Sequence, residues 1–157
     1  MSAYPVAAQQ FGEPLSRRVE PLTAIDRQFM SDQRARVEQA VNRIGRQLSG
    51  DATRDIDTLQ RLLDRKLVSA DDKLTLQAMG IVLGDLIAAS LELDWVVYRD
   101  RAGRSRALHL HDSEVFLFPV TMISRRFEAG AQVNIQTLYE KTVTETRQRL
   151  PGGRWFQ

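Results

Sequence analysis

No cysteine occurs among the 157 residues, which excludes disulfides and any metal or redox chemistry built on thiolates. Lysine is scarce, at 3 against 19 arginines, and the formal net charge is only +2. That balance is too small by itself to imply a nucleic acid or an anionic membrane. The arginine bias fits genome composition, or forked recognition of carboxylate or phosphate, which Arg performs better than Lys. No stretch joins a basic start to the continuous apolar run of a secretory signal. The expected location is therefore the cytoplasm, although a periplasmic chain whose signal had been removed would read the same. Internal repeats, low-complexity tracts, a phosphate-binding glycine loop and a serine in a nucleophile elbow are all missing. What is present, 43% hydrophobic and 27% charged residues, describes a soluble globular domain with a core of ordinary size.

The chain is organised around the stretch from Leu74 to Arg126, where an apolar helix runs into a β-meander. The helix, Leu74 to Leu91, is apolar most of the way round, as befits a buried helix. Gly, Asp and Gln interrupt it, so the burial is expected inside protein and not in a membrane. Gly80 and Gly84 lie one turn apart, and each costs about 1 kcal/mol relative to Ala in a helix interior. Close approach of a neighbouring helix or strand is the compensation to expect.

Residues 1–21 contain Pro5, Pro14 and Pro21 with Tyr4 and Phe11 between them, and read as an extended N-terminal arm. Apolar residues at helical spacing predict a first helix over Thr23 to Leu48, with Thr23 and Asp26 as a capping pair. Ser49-Gly50-Asp51 breaks it. A second helix follows over Thr53 to Arg65, in which Asp55, Asp57 and Asp64 read as a solvated face and Asp57 and Arg61 as an i, i+4 pair. Ser69, with Asp72 three residues on, is the expected cap of the central helix.

The period then changes to 2. Strands are expected at Trp95–Tyr98, Arg106–His111 and Glu114–Phe118, with Gly103 taking positive φ in the first turn. Leu108 and Leu110 should face the core, and His109 and His111 the solvent. Trp95, Phe118, Ile81 and Leu83 join the predicted core. A short helix over Val120 to Glu128 and a last one over Ile135 to Leu150 complete the domain, and residues 151–157 form a tail. The fold class is α+β: a three-stranded antiparallel β-meander packed with about five α-helices, in a single domain over residues 22–150.

Five motifs recur here in an order that resembles one family. They are Asp55-x-x-x-Leu59-Gln60-x-x-Leu63-Asp64, Leu76-Gln77-Ala78-x-Gly80-x-x-Leu83-Gly84-Asp85, Trp95-Val96-Val97, Gly103-Arg104-x-x-Ala107-Leu108 and Phe118-Pro119-x-Thr121-Met122-Ile123-Ser124-Arg125-Arg126. The set is similar to the bacterial domain of unknown function (DUF) 3806 family, over roughly Asp26 to Val143. The resemblance implies a small α+β bacterial domain and supplies no catalytic residue.

Three features carry the functional readings. Asp85 sits among Leu83, Leu86 and Ile87 on the most apolar helix, where a carboxylate must be paired, hydrogen-bonded or protonated. It is expected as a buried polar anchor paired with Arg125 or Arg126; the alternative is an enzyme with a site near Asp85. Arg99, Arg101, Arg104 and Arg106 crowd the hairpin tip, offset by Asp100 alone, as a candidate binding surface for an acidic protein. An anion or nucleic acid at that tip is a weaker reading, since no aromatic stands among the arginines to stack on bases. His109 and His111 are weak metal candidates, because a zinc site needs three or four converging ligands. No cofactor is implied, and the favoured function is a protein-interaction or small binding module.

Overall fold

Thr23 and Asp26 close a reciprocal capping box at the start of the first helix, as their spacing predicts. The Thr23 hydroxyl accepts from the Asp26 N–H at 3.1 Å, and the Asp26 carboxylate accepts from the Thr23 N–H at 2.9 Å. The computed structural model describes residues 17–151, so Tyr4, Phe11 and the tail beyond Pro151 lie outside the described residues. The elements run β1 (Arg18–Pro21), α1 (Ala24–Asn42), α2 (Ala52–Asp64), α3 (Lys73–Leu91), β2 (Asp94–Asp100), β3 (Gly103–His109) and β4 (Phe116–Leu117). A 3-10 turn (Pro119–Thr121), α4 (Met122–Glu128) and α5 (Ile135–Arg149) follow.

The helices depart from the expected bounds for local reasons. α1 ends at Asn42 and not Leu48, because Gly45 takes a left-handed φ of +71° and turns the chain. α3 is capped by Asp72, whose carboxylate accepts from Thr75 N–H at 3.1 Å. Ser69 instead forms the turn ahead of it, its carbonyl accepting from Asp72 N–H. Asp55 is not on a solvated face. It is buried and accepts from Ser49 N–H, Ser49 Oγ and Gly50 N–H at 2.8–2.9 Å, clamping the link between α1 and α2 onto α2. Asp57 does pair with Arg61, at 3.1 Å, and also with Arg46 at 2.6 Å. The Arg46 hydrogen bond and then that of Arg61 hold its carboxyl below the usual range.

By length and composition α3 is apolar enough to cross a membrane, despite its interruptions. Its apolar residues are used inside the domain: Leu76, Met79, Leu83 and Ile87 are fully buried in one core with Val37, Leu59, Leu62, Leu108 and Ile135, and Ile81 is fully buried as well. The two glycines do what their cost requires. A Cβ at Gly80 would stand 2.5 Å from the Pro119 carbonyl oxygen and closer still to that of Val120. A Cβ at Gly84 would stand 2.5 Å from the Trp95 ring and 2.9 Å from Pro119 Cβ. The 3-10 turn and β2 thus lie directly on the glycine face of α3.

The sheet has four antiparallel strands in the order β1-β2-β3-β4, one more than the meander read from the sequence. The addition is β1, which pairs Arg18 with Arg99 and Val19 with Tyr98. Leu108, opposite Trp95 on β2, faces the core as expected. Other assignments around it differ. Trp95 and Leu110 are only half-buried and Phe118 is 39% exposed, while His109 is buried. His109 is buried because β4, only two residues long, sets Phe116 directly opposite it. Their rings stack at 4.3 Å with 4° between planes, and His109 Nε2–H donates to the Ser113 carbonyl at 2.9 Å. The outer face of the sheet is therefore covered at that point by the sheet's own aromatics.

Candidate interaction surface

Some of the charged residues singled out in the sequence, Asp26, Asp85, Arg104 and Arg106, are built into two separate clasps. The first is centred on Asp26, 1% exposed at the start of α1. Arg104 donates to its Oδ2 at 2.5 Å and Arg106 to its Oδ1 at 3.0 Å, so both carboxylate oxygens carry a guanidinium in addition to the cap. Phe29, one turn further along α1, lies 4.1 Å under the Arg106 guanidinium. The Arg104 hydrogen bond, which outweighs the cost of burial, holds the Asp26 carboxyl well below the usual carboxylate range, and Asp26 in turn raises Arg104. Two of the four hairpin arginines are thus structural. The local count that left only Asp100 to offset them missed a carboxylate far upstream in the chain. Arg99 is tied to Glu20 at 3.4 Å, and among the described residues Arg101 alone of the four enters no ion pair.

The second clasp is centred on Asp85, and its partner is not Arg125 or Arg126. Arg34 on α1 grips it through two hydrogen bonds of 2.7 and 2.9 Å, and Trp95 Nε1–H donates to it at 2.9 Å. The contact is half-buried, with the Asp85 side chain 34% exposed, so the expected full burial is corrected as well. Hydrogen bonding to Asp85 raises the Arg34 pKa. α4 points its arginines elsewhere: Arg126 donates to the Met122 carbonyl at 2.8 Å and Arg125 is exposed. Because solvent reaches both partners, Asp85→Ala is expected to cost about 1–2 kcal/mol, not the roughly 3 of a buried pair. Urea denaturation measures that loss, and a change in native Trp95 emission at equal folded fraction checks the indole bond. Unchanged stability and emission would remove the clasp.

His111 stands in solvent beside Asp112 at 3.5 Å, turned away from His109, and no group of three metal-ligating side chains gathers among the described residues.

What the two clasps leave open is the outer face of the sheet. The inner face takes the helices: Trp95 under Gly84, Leu108 and Leu117 in the core, Arg104 and Arg106 on Asp26. The outer face presents Val19, Pro21, Val96, Tyr98, His109 and Phe116 with no helix laid over them among the described elements. Tyr98 meets Phe116 edge-on at 5.0 Å and Phe118 at 5.3 Å, which makes an aromatic ridge. A depression of about 430 Å³ lies on one side, lined by Tyr98, Phe118, Val120, Arg104, Arg106 and Arg125 among others. Another of about 690 Å³ lies on the other side, where Arg17, Val19, Pro21, Val96, His109 and Phe116 contribute. Arg17 lies 4.8 Å over the Phe116 ring while pairing with Glu114. Sequence reasoning missed this ridge because Phe118 was assigned to the core. The signal present was Phe116 and Phe118 two residues apart, with Tyr98 on β2.

Fold and surface together define a small α+β domain, in which helices cover one face of an antiparallel sheet and, among the described residues, leave an aromatic face open. The chain belongs to the family described as "Domain of unknown function (DUF3806)", whose model matches residues 55–139. That span runs from within α2 to the first turn of α5, including Asp85 and the hairpin, but neither Asp26 nor Arg34. A protein of Bacteroides thetaiotaomicron VPI-5482, known from a crystal structure at 1.50 Å resolution, is similar in fold with a TM-score of 0.76 and 18% identity. The match covers 86% of this chain and 50% of that one, so this chain spans half the length of that relative. No curated protein matches in sequence.

Proposed function

We propose that the domain is a protein-interaction module that receives an acidic partner with apolar side chains on the outer face of its sheet. The observation that carries this reading is the ridge of Tyr98, Phe116 and Phe118, open between two depressions and bordered by cations. Open aromatic surface rimmed by polar residues is characteristic of binding faces. Its sign follows from Arg101 and Arg125, which are exposed and form no ion pair among the described residues. Arg104 and Arg106 hold their charges at the same end, although Asp26 already balances part of them.

The test uses labelled peptides read by fluorescence anisotropy: one alternating Glu with Leu, its Lys-for-Glu counterpart, and a short oligothymidylate. The acidic peptide is expected to bind and the basic one not. Arg101→Glu with Arg125→Glu should weaken binding about tenfold, and added salt should weaken it further, as charge steering and screening require. Melting should stay unchanged, since neither arginine is paired in the fold. Equal binding of both peptides, indifference to the double variant, or preference for the oligothymidylate overturns the reading.

A further inference from the structure

The sheet carries an unbalanced row of charge at β1, its edge strand among the described residues. Arg18, Arg99 and Arg104 stand side by side across β1, β2 and β3 on the inner face. Like charges directly opposite one another destabilise a sheet unless counter-charges intervene. Arg104 has Asp26, and Arg99 has Glu20, reached at 3.4 Å. Arg18, the outermost, has no carboxylate among the described residues, and nothing described lies beyond β1. On the outer face of the same strand Val19 is 40% exposed.

We propose that two copies of the chain pair through β1, edge to edge and antiparallel, about a two-fold axis at Val19. The triplet Arg18-Val19-Glu20 is self-complementary in that arrangement. Arg18 of each copy stands opposite Glu20 of the other, which supplies the missing carboxylate twice, and Val19 stands opposite Val19. A parallel pairing would set Arg18 on Arg18, so the charges select the antiparallel one. A two-fold interface is isologous, the arrangement by which identical surfaces associate and close. Unpaired edges are templates for added strands and are commonly blunted. Here Pro21, with no N–H to donate, stops the ladder at one end, and Arg18 and Glu20 have opposite signs, which attract a second copy instead of repelling it. The contact is short, well below the area of a stable interface, so the pairing is weak and concentration-dependent. It joins two four-stranded sheets and sets their aromatic outer faces in one continuous surface.

This occupant differs from the acidic partner proposed above, and the test does not depend on that partner. Because the chain has no cysteine, a single Val19→Cys substitution is the only thiol, and the two-fold pairing brings two such thiols opposite each other, while the charge variants below separate it from a parallel pairing. Under mild oxidation, Val19→Cys is expected to form covalent dimer at least about tenfold faster than Ile25→Cys, as proximity in a pre-formed pair demands over random collision. Ile25 is the control because it is 81% exposed on α1. Adding Arg18→Glu to Val19→Cys should slow the reaction, by setting like charges opposite. Adding Glu20→Arg to that variant should restore the rate, because the exchange recreates the complementary pair. A Val19→Cys rate no faster than the Ile25→Cys rate overturns the proposal. So does a charge exchange that leaves the rate as slow as Arg18→Glu alone.

Discussion

Replacing Asp26 by Ala is expected to lower the unfolding free energy by about 3–4 kcal/mol, because it strands the partly buried guanidinium groups of Arg104 and Arg106 and removes a helix cap. For a domain of this size that corresponds to a melting point lower by about 8–15 °C. The loss should exceed that of Asp85→Ala, whose carboxylate is 34% exposed against 1% for Asp26. A pH series separates the charge from the shape. The folded-state pKa of Asp26 is depressed, chiefly by its hydrogen bond from Arg104. Its contribution is therefore fully present above the unfolded carboxylate pKa of about 3.9, and is lost as pH falls from there through the lower folded value. Against Asp26→Asn, which keeps the volume and loses the charge, the parent's advantage in melting temperature should be widest near neutrality and narrow in acid. An advantage that stays constant down to acid would assign the effect to packing alone.

Gly80→Ala reverses the sign that helix propensity predicts. In an open helix the change would stabilise by about 1 kcal/mol. At Gly80 the new methyl meets two backbone carbonyl oxygens, those of Pro119 and Val120, at separations that no rotamer can relieve. Overpacking of this kind costs about 1–3 kcal/mol and more when backbone must move, so a net loss of about 3 kcal/mol is expected in urea denaturation. Gly84→Ala meets the Trp95 ring, which is tethered to Asp85 by its indole N–H, so a smaller loss with altered tryptophan emission is expected there. A stabilised Gly80→Ala variant would mean that the 3-10 turn does not lie on α3.

The helices were legible because their evidence is local. The capping box needs only Thr23 and Asp26 three residues apart, and the Asp57–Arg61 pair only one helical turn. Gly80 and Gly84 announced a close neighbour by the cost of placing glycine in a helix, although not which neighbour. The α+β class followed from the change of period after α3.

Long-range choice lay outside that reach. Asp85 had to find a donor, and α1 offered Arg34 from 51 residues away, because α1 and not α4 runs beside that carboxylate. The hairpin arginines found Asp26 because the sheet's inner face meets the first turn of α1. His109 was buried by a two-residue strand whose Phe116 falls opposite it, a matter of register that alternation along β3 alone does not contain. Sequence spacing by itself determined the helices, the capping box of α1 and the tight glycine face, since those depend on residues within a turn of one another. Only the tertiary structure decided which distant charges meet and which sheet face the described helices leave uncovered, since those depend on where distant elements pack.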